Sequence, residues 1–255
     1  MGRRPGHGTL APRPGSGRGV LEGAFAVLEA LENLEVAGLS RLAAVSGLPK
    51  TTAHRLLEQL IDLGAAERAN VRGHYRLGPR LLQLGRAWQP VPGLAAAADG
   101  PMRALAAATG ATVGVCVLRT GRTLVVAGAV GEVDSLAPLL PGATWPWSTA
   151  AGKLLVAAAR PGLPLGPMPG GWKQTAASIR SDGLAVDREE LVAGVFCVAA
   201  PVRARGGAVV AALCVLTGTA DRLHRLAQPA VRASRIISGN LGKPHGGSVT
   251  SRRGS

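Results

Sequence analysis

A short run of basic and hydroxyl side chains opens a predicted helix and has the chemistry to contact a polyanion. The run contains Lys50, Thr51, Thr52, His54 and Arg55. At about 100° per residue, positions 51 and 55 point away from the apolar side of the helix. A guanidinium at position 55 could pair with guanine O6 and N7, hydroxyls could reach base edges or phosphates, and Lys50 beside the helix N-terminus suits a phosphate. The pattern predicts a helix that enters the major groove of DNA with its N-terminal turns first.

Further basic residues flank this helix. Two short runs, residues 65–69 and 74–77, surround a turn-like segment and predict a two-stranded hairpin, or wing. The wing carries Arg68, Arg72, His74 and Arg76. Residues 1–19 are rich in Gly, Pro and Arg and are expected to form a disordered basic arm, from which Arg13 and Arg18 could enter the adjacent minor groove. The alternative is that these charges are simply solvated on a helical hairpin.

A second candidate site is the predicted start of a helix at residues 148–152. Free N–H groups and the positive end of the helix dipole would favour a carboxylate ligand there. Trp145, Trp147 and Trp172 are three of the four tryptophans, and they could line an apolar pocket or fill a core. The alternative for the helix start is a plain cap made by Ser148.

The sequence predicts neither a catalytic residue nor a metal site. Cys197 stands in an apolar strand, where a buried cysteine usually behaves as a small hydrophobic residue. No HExxH or CxxC motif accompanies the five histidines. Asp187, Glu189 and Glu190 are interpreted as the acidic first turn of a solvated helix.

The segment VVAGAVGEVDSL, beginning at Val125, is the nearest approach to a cofactor loop. It contains Gly128 and Gly131 but lacks the GxGxxG pattern that dinucleotide binding requires. No cofactor is therefore predicted. The alternative function is an enzyme that uses a winged helix for dimerisation, as some methyltransferases do.

The composition narrows the class of protein. The 255 residues include 29 Lys and Arg against 15 Asp and Glu, a net charge of +14, which suggests polyanionic partners. Abundant Ala, Gly and Arg would also follow from a GC-rich genome. The longest apolar run, residues 208–216, is too short to span a bilayer, and the N-terminus lacks the apolar core of a secretory signal. With three cysteines and no CxxC motif, reduced thiols, a cytoplasmic location and no membrane partner are expected.

Helical spacing predicts the elements that hold the basic run. Helices are expected at residues 20–33, at residues 40–45 with Ser40 as cap and Gly47 as terminator, and from Pro49 to just before Gly64. The tight turn between the last two makes a helix-turn-helix. With the wing, residues 20–78 form a predicted winged helix-turn-helix domain, and helices within residues 79–108 would link the domains and hold a dimer together.

The remaining pattern predicts an α+β domain over residues 109–241. Strands are expected at 112–118, 123–130, 194–202 and 208–217, with helices at 150–159 and 221–241. This order favours a mainly antiparallel sheet. Residues 242–255 are predicted to be a disordered tail.

Two sets of motifs stand in the order found in one known family. The first, LSRLAAVSGLPKTTAHRLLEQLIDLG followed by RGHYRLGPRLLQLG, resembles the winged helix of the IclR family of transcriptional regulators. The second, WSTAAGKLLVA and GLAVDREELVAGVFCVAAPV, is similar to motifs of the family's second domain. The resemblance covers about residues 20–241. It implies a GAF-like C-terminal domain that binds a small-molecule effector and a homodimer or tetramer that binds double-stranded operator DNA.

The resemblance also implies where the effector site lies. From the start of a helix, the pocket would be edged by Thr149, Ala150, Gly152 and Lys153, and its floor would carry or adjoin Asp187, Cys197 and Ala199. Trp147 stands where the family often has His, so the pocket is expected to be more aromatic. Residues 160–178, the expected lid, are shorter and richer in Pro and Gly than the family's pattern. Arg203 stands where an apolar residue is common.

These features predict a sequence-specific transcriptional regulator, a repressor or an activator, that is controlled by a carboxylate or aromatic metabolite. Ligand binding would shift the placement of two winged helices on a pseudo-palindromic operator. The alternatives are the methyltransferase-like enzyme and a DNA-binding protein whose sensor domain binds nothing.

Overall fold

The computed structural model describes residues 19–159, 163 and 165–242, which form two compact units. The chain passes from the first unit to the second between Gln89 and Pro90. Arg13, Arg18 and nearly all of the two predicted tails lie outside the described residues. Helices combine with antiparallel sheets in both units, which confirms the predicted α+β class.

The first unit is a winged helix-turn-helix, as predicted. Its described elements are, in chain order, α1 (Val20–Leu34), β1 (Ala37–Gly38), α2 (Leu39–Ser46), α3 (Lys50–Asp62), β2 (Ala66–Arg68), β3 (His74–Leu77) and α4 (Pro79–Ala87). Strand β3 pairs antiparallel with both β1 and β2. Strands β2 and β3 form the wing.

The core of this unit explains how α2 and α3 are held. Leu31 on α1, Leu42 on α2 and Leu57 on α3 have no exposed surface and pack in one apolar cluster. Gly47 ends α2 with φ at 66°, a left-handed conformation that glycine adopts without steric cost. The chain then turns through residues 47–49 into α3.

Two local predictions in this unit are wrong, and one strand was not predicted. The N-cap of α2 is Gly38 and not Ser40, because residues 37–38 form a strand that pairs with β3. Pro49 is the N-cap of α3 and not its first helical residue, and its extended backbone suits that position. The sheet that contains the wing has three strands among the described residues, since β1 adds to the predicted pair.

The second unit is built around an antiparallel sheet, as predicted. Its described elements are α5 (Leu94–Thr109), β4 (Thr112–Arg119), β5 (Arg122–Ala129), β6 (Thr144–Pro146), α6 (Ala150–Ala158), α7 (Trp172–Asp182), β7 (Ala185–Arg188), β8 (Phe196–Arg203), β9 (Val209–Thr217) and α8 (Ala220–Leu241). The strand order is β6-β5-β4-β9-β8-β7, and each neighbouring pair is antiparallel. In neither unit is a described helix long and apolar enough to cross a membrane.

Side chains that alternate along the strands create a core on each face of this sheet. On β9, Leu213 and Val215 pack in the cluster that includes α5 and α8, whereas Cys214 and Leu216 belong to the opposite cluster. Helix α6 covers that opposite face. Because consecutive residues of a strand point to opposite faces, apolar residues in succession bury both sides.

Three elements of this unit are absent from the sequence prediction. Strands β6 and β7 are the two edges of the sheet and have only three and four residues, too few for a clear period. Helix α7 follows a stretch rich in Pro and Gly.

The interpretation of residues 187–190 as a helix start is wrong, because Asp187 lies in β7. Within the expected lid, residues 160–162 and 164 lie outside the described residues.

Candidate functional site

The outer face of α3 presents the predicted DNA-contacting residues to solvent. Lys50, Thr51, His54 and Arg55 are exposed and Thr52 is half-buried, while Ala53 and three leucines of the helix are buried. The Arg55 guanidinium has no hydrogen-bond or ion-pair partner among the described residues. The N-terminal half of α3 therefore offers available donors on the side opposite its buried stripe.

An ion pair connects the wing to the other half of α3. Arg68 on β2 donates from Nη2 to both carboxylate oxygens of Glu58, at 3.1 and 2.9 Å. His54 Nε2 lies 3.9 Å from Glu58 Oε1. The bridge neutralises a carboxylate on the helix face that carries Arg55. It also orients the wing relative to that helix.

The remaining predicted wing residues differ in availability. Arg76 Nε donates to Glu67 Oε1 at 2.6 Å, so this guanidinium is already paired within the wing. Arg72 at the wing tip is exposed, and its side chain is unpaired with respect to the described residues. His74 Nδ1 lies 3.3 Å from the Arg72 carbonyl oxygen. The wing therefore presents Arg72 as its available cation.

The sheet face under α6 carries a small, partly open cavity of about 50 Å³. Its walls come from both edge strands, the centre of the sheet, the start of α6 and the loop after β7. Most of the lining is apolar or thiol and comprises Cys116, Ala137, Leu139, Ala151, Leu191, Val192, Val195, Cys197, Cys214 and Leu216. The polar lining residues are Thr123, Trp145, Thr149 and Asp187. Four predicted effector residues, Trp145, Thr149, Asp187 and Cys197, are thus brought together here.

The hydroxyl groups of the two threonines of this cavity both donate to backbone carbonyl oxygens of the protein. Thr123 Oγ1 donates to the Trp145 carbonyl oxygen at 3.1 Å. Thr149 Oγ1 donates to the Pro146 carbonyl oxygen at 3.1 Å and accepts from the Gly152 N–H at 3.3 Å. The indole Nε1–H of Trp145, in contrast, is buried and has no hydrogen-bond partner within the described residues. Buried donors are normally paired, so this group has unused capacity.

Asp187 is the acidic group of the cavity and is only 6% exposed. Burial raises the pKa of its carboxyl, and the nearby Glu190 charge raises this pKa further. Two contributions lower the pKa: the Glu190 N–H donates to Oδ1 at 3.0 Å, and the Lys153 ammonium lies nearby. The net effect is a raised pKa. The described lining residues include no Lys, Arg or His. Lys153 itself is ion-paired with Glu190 and donates to the Val186 carbonyl oxygen.

The start of α6 is capped by Thr149, not by Ser148. The cap uses the Gly152 N–H, one of the groups expected from the sequence to hold a carboxylate. Gly152 allows a close approach of backbone segments, because a Cβ at this position would lie 2.1 Å from the Trp147 carbonyl oxygen. Ala150 is also buried in this first turn. The helix start is therefore largely a structural element of the cavity wall.

Other predicted effector residues line a separate depression of about 710 Å³. Trp147, Ser148 and Lys153 lie there with Trp172 on α7. The rings of Trp147 and Trp172 meet edge to face, with centroids 5.1 Å apart. Ala199 is buried in the sheet face under α6. Seven of the predicted effector residues are thus divided between two concavities, and Ala150, Gly152 and Ala199 line neither of them.

The convergence of the three cysteines is not apparent from the sequence. Cys116 Sγ lies 3.5 Å from Cys214 Sγ although 98 positions separate them, and Cys197 lines the same cavity. The hydrogen bond with Cys214 and burial together raise the pKa of the Cys116 thiol. The alternation of side chains along each strand places all three cysteines on the same face of the sheet. The sequence does not give the order of the strands, so it could not predict that the cysteines lie close together. No group of His, Cys, Asp or Glu within the described ranges is placed to hold a metal ion.

A winged helix-turn-helix unit with cations on its outer helix, joined in one chain to a sheet unit with a largely apolar cavity, defines the general class of transcriptional regulators with a sensor domain. Family models identify the family. The IclR helix-turn-helix domain matches residues 20–69, and the C-terminal domain of the bacterial transcriptional regulator IclR matches residues 172–236. The chain belongs to the IclR family of transcriptional regulators, DNA-binding proteins that respond to small-molecule effectors.

Individual relatives agree with this family. The glycerol operon regulatory protein of Streptomyces coelicolor is 34% identical over 244 residues, which is 87% of this chain and 96% of that protein. The glycerol operon regulatory protein of Streptomyces griseus is 35% identical over 218 residues, or 80% of this chain and 85% of that protein.

Solved structures share the fold. An IclR homologue from Microbacterium hydrocarbonoxydans, crystallised with 4-hydroxybenzoate, superposes with a TM-score of 0.75 at 21% identity, covering 88% of this chain and 99% of that one. HmgR of Pseudomonas aeruginosa gives a TM-score of 0.69 at 27% identity, with coverage of 88% and 99%. Both confirm the two-domain architecture.

Proposed function

We propose that the protein binds a two-fold-related operator as a homodimer or tetramer, through α3 and the wing, and that a small molecule in the cavity under α6 controls this binding. The observation that carries the proposal is the exposed, unpaired Arg55 on the outer face of α3. A helix with this polarity suits the major groove, where its N-terminal turns meet base edges.

The proposed DNA contacts follow from exposure and pairing. Arg55 contacts a guanine, because its guanidinium is available for two parallel hydrogen bonds. Thr51 reaches a neighbouring base edge, and Lys50 and Arg72 contact phosphates on either side. Arg68 acts mainly by orienting the wing through Glu58. Thr52, His54, Arg76 and Arg18 complete the predicted set.

Exposed apolar surface supports a dimer. None of the residues of α4 is buried, and Leu82, Leu84 and Trp88 are each more than half exposed. On α1, Leu21 and Phe25 are 77% and 64% exposed. Large apolar side chains exposed in this number are more typical of protein interfaces than of a surface left in solvent. Helix α5, by contrast, is packed in the core of the second unit, so α4 and α1 are the better candidates within the first 109 residues.

The cavity under α6 supports control by a metabolite rather than catalysis. Small ligands are usually held in apolar pockets with a few convergent polar groups, and this cavity has that lining. A nucleophile needs a base within hydrogen-bond reach, and no histidine lies among the described residues that line it. The relatives named for glycerol operons make small polyols the first compounds to test. As a DNA-binding regulator, the protein would act in the bacterial cytoplasm.

The test is selection of bound sequences from a random DNA library with the purified full-length protein, at two salt concentrations. Wild-type protein should enrich a two-fold-symmetric motif. Arg55→Ala should relax the motif at one position per half-site and weaken binding by about 1–3 kcal/mol. Contacts to phosphate weaken with salt for any sequence, so the salt series separates the two contributions.

The matched control is Arg232→Ala, which removes the same charge from an exposed position on α8 in the second unit. It should leave the motif unchanged. Enrichment of no motif by wild-type protein, or equal effects of the two substitutions, would contradict the proposal.

A further inference from the structure

Two polar groups of the cavity under α6 have capacity to bind a ligand. One is the buried Trp145 Nε1–H, which no described residue accepts. The other is the Asp187 carboxylate, to which the Glu190 N–H is the one hydrogen-bond donor among the described residues. These two groups offer one donor and one charged acceptor. A hydroxyl group both accepts and donates, so hydroxyl chemistry matches both groups.

The charge of the cavity disfavours anions, and its hydrogen-bonding groups disfavour a simple ammonium. Asp187 brings a carboxylate, and the described lining residues include no cation to compensate a second negative charge. The Lys153 ammonium is occupied by Glu190. A carboxylate ligand would therefore face like charge and could not donate to Asp187. An ammonium ligand would satisfy Asp187 but would leave the Trp145 N–H unpaired, because it has no acceptor.

The size of the cavity limits the ligand to a few non-hydrogen atoms. A volume of about 50 Å³ holds on the order of four water-sized groups, at roughly 10–15 Å³ each. Leu191 on the loop after β7 lines the cavity and is 42% exposed, so the cavity reaches the protein surface at this side chain. A short alcohol of about four non-hydrogen atoms fits directly, and a single-ring compound would extend past Leu191 toward the surface.

We propose that the effector is a small uncharged molecule that carries hydroxyl groups, and that it accepts a hydrogen bond from Trp145 Nε1 and donates one to Asp187. This inference rests on the proposed function, in that the cavity under α6 is taken as the effector site. The positive end of the α6 dipole alone would favour a carboxylate ligand. The charge and hydrogen-bonding groups of the cavity favour an uncharged ligand instead.

The experiment uses two ligand triads that hold size nearly constant and change only charge. The first triad is 1-propanol, propionate and propylamine, and the second is benzyl alcohol, benzoate and benzylamine. Binding to the full-length protein is measured by calorimetry near neutral pH, where the acids are ionised and the amines are largely protonated. In at least one triad, the uncharged member should bind at least about tenfold more tightly than either charged member.

Two substitutions separate the roles of the polar groups. Trp145→Phe removes the N–H and keeps an aromatic ring, so it should weaken binding of the uncharged member about threefold to tenfold. Asp187→Asn keeps an acceptor for the Glu190 N–H but removes the charge, so it should narrow the ratio between uncharged and anionic members. Trp172→Phe is the matched control, because Trp172 lines the other depression and the same N–H is lost. It should change binding less than twofold.

The possible outcomes distinguish failure of this inference from failure of the proposed function. Binding of a charged member as tight as that of its uncharged analogue in both triads overturns it, as does absence of binding by both alcohols. Equal effects of Trp145→Phe and Trp172→Phe also overturn it. If Asp187→Asn does not fold, as judged by circular dichroism, the wild-type triads and the tryptophan pair still test the inference. A charged compound that binds and changes affinity for the selected DNA would refute the inference but leave the proposed function standing.

Discussion

Gly152 provides a stability prediction at the wall of the cavity. A Cβ at this position would lie 2.1 Å from the Trp147 carbonyl oxygen and 2.5 Å from both the carbonyl carbon and Cα of Trp147. All three atoms belong to the backbone, so no rotamer change relieves the contact. Either the first turn of α6 or the preceding residues must move. Gly152→Ala should therefore destabilise the second unit and distort the cavity beside Trp145.

The size of the effect follows from two opposing contributions. Overpacking in a well-packed core costs about 1–3 kcal/mol, and contact with backbone atoms favours the upper end of that range. Alanine regains about 1 kcal/mol over glycine inside a helix. The free energy of unfolding of the second unit should thus fall by about 2 kcal/mol.

Urea unfolding followed by tryptophan fluorescence measures this change. In a Trp88→Phe background, the three remaining tryptophans all lie in the second unit, so the signal reports on that unit. The control is Gly239→Ala in α8, where a Cβ would meet no atom within 4 Å. That substitution should be neutral or should stabilise by up to about 1 kcal/mol. If Gly152→Ala unfolds at the same urea concentration as its parent or higher, the reasoning about this contact is refuted.

Two further predictions concern ionisable groups of the cavity. Burial raises the pKa of Asp187 in the folded state. The folded protein therefore keeps the carboxyl proton to higher pH than the unfolded chain does. As a result, the free energy of unfolding falls as pH rises above about 3.8. Asp187→Asn removes that loss. The free energy of unfolding of this variant, measured in urea and compared with that of wild type, should be raised more at about pH 7 than at about pH 4. An equal difference from wild type at the two pH values would be contrary evidence. The hydrogen bond with Cys214 and burial raise the pKa of the Cys116 thiol, so little thiolate forms. Alkylation of Cys116 by iodoacetamide, mapped by mass spectrometry, should be far slower in native protein than in urea, and equal rates would contradict this account.

The first unit could be predicted closely from the sequence because its structure is mostly local. The spacing of Leu56, Leu57 and Leu60 defines the buried side of α3, and Gly47 marks the end of α2. What the sequence missed there is β1, a strand of two residues that exists only because it pairs with β3. A partner more than 30 positions away leaves no local periodicity.

The cavity was less predictable because it depends on long-range strand order. Trp145 and Asp187 lie on opposite edge strands, β6 and β7, and meet in one cavity through the packing of α6 on the sheet. The same applies to Cys116 and Cys214 on the neighbouring strands β4 and β9. The family resemblance supplied Asp187 and Cys197, but Thr123 and Leu139 carried no signal of their own. Lys153 was expected at the effector pocket, yet its ammonium is held by Glu190.

The most direct test of the central claim is a protection footprint of full-length protein on a DNA sequence that it has selected. A regulator that binds as a symmetric oligomer through α3 should protect two half-sites related by a two-fold axis, with centres separated by about one helical turn or a multiple of it. Protection of a single asymmetric site, or uniform protection that disappears as salt is raised, would contradict the account.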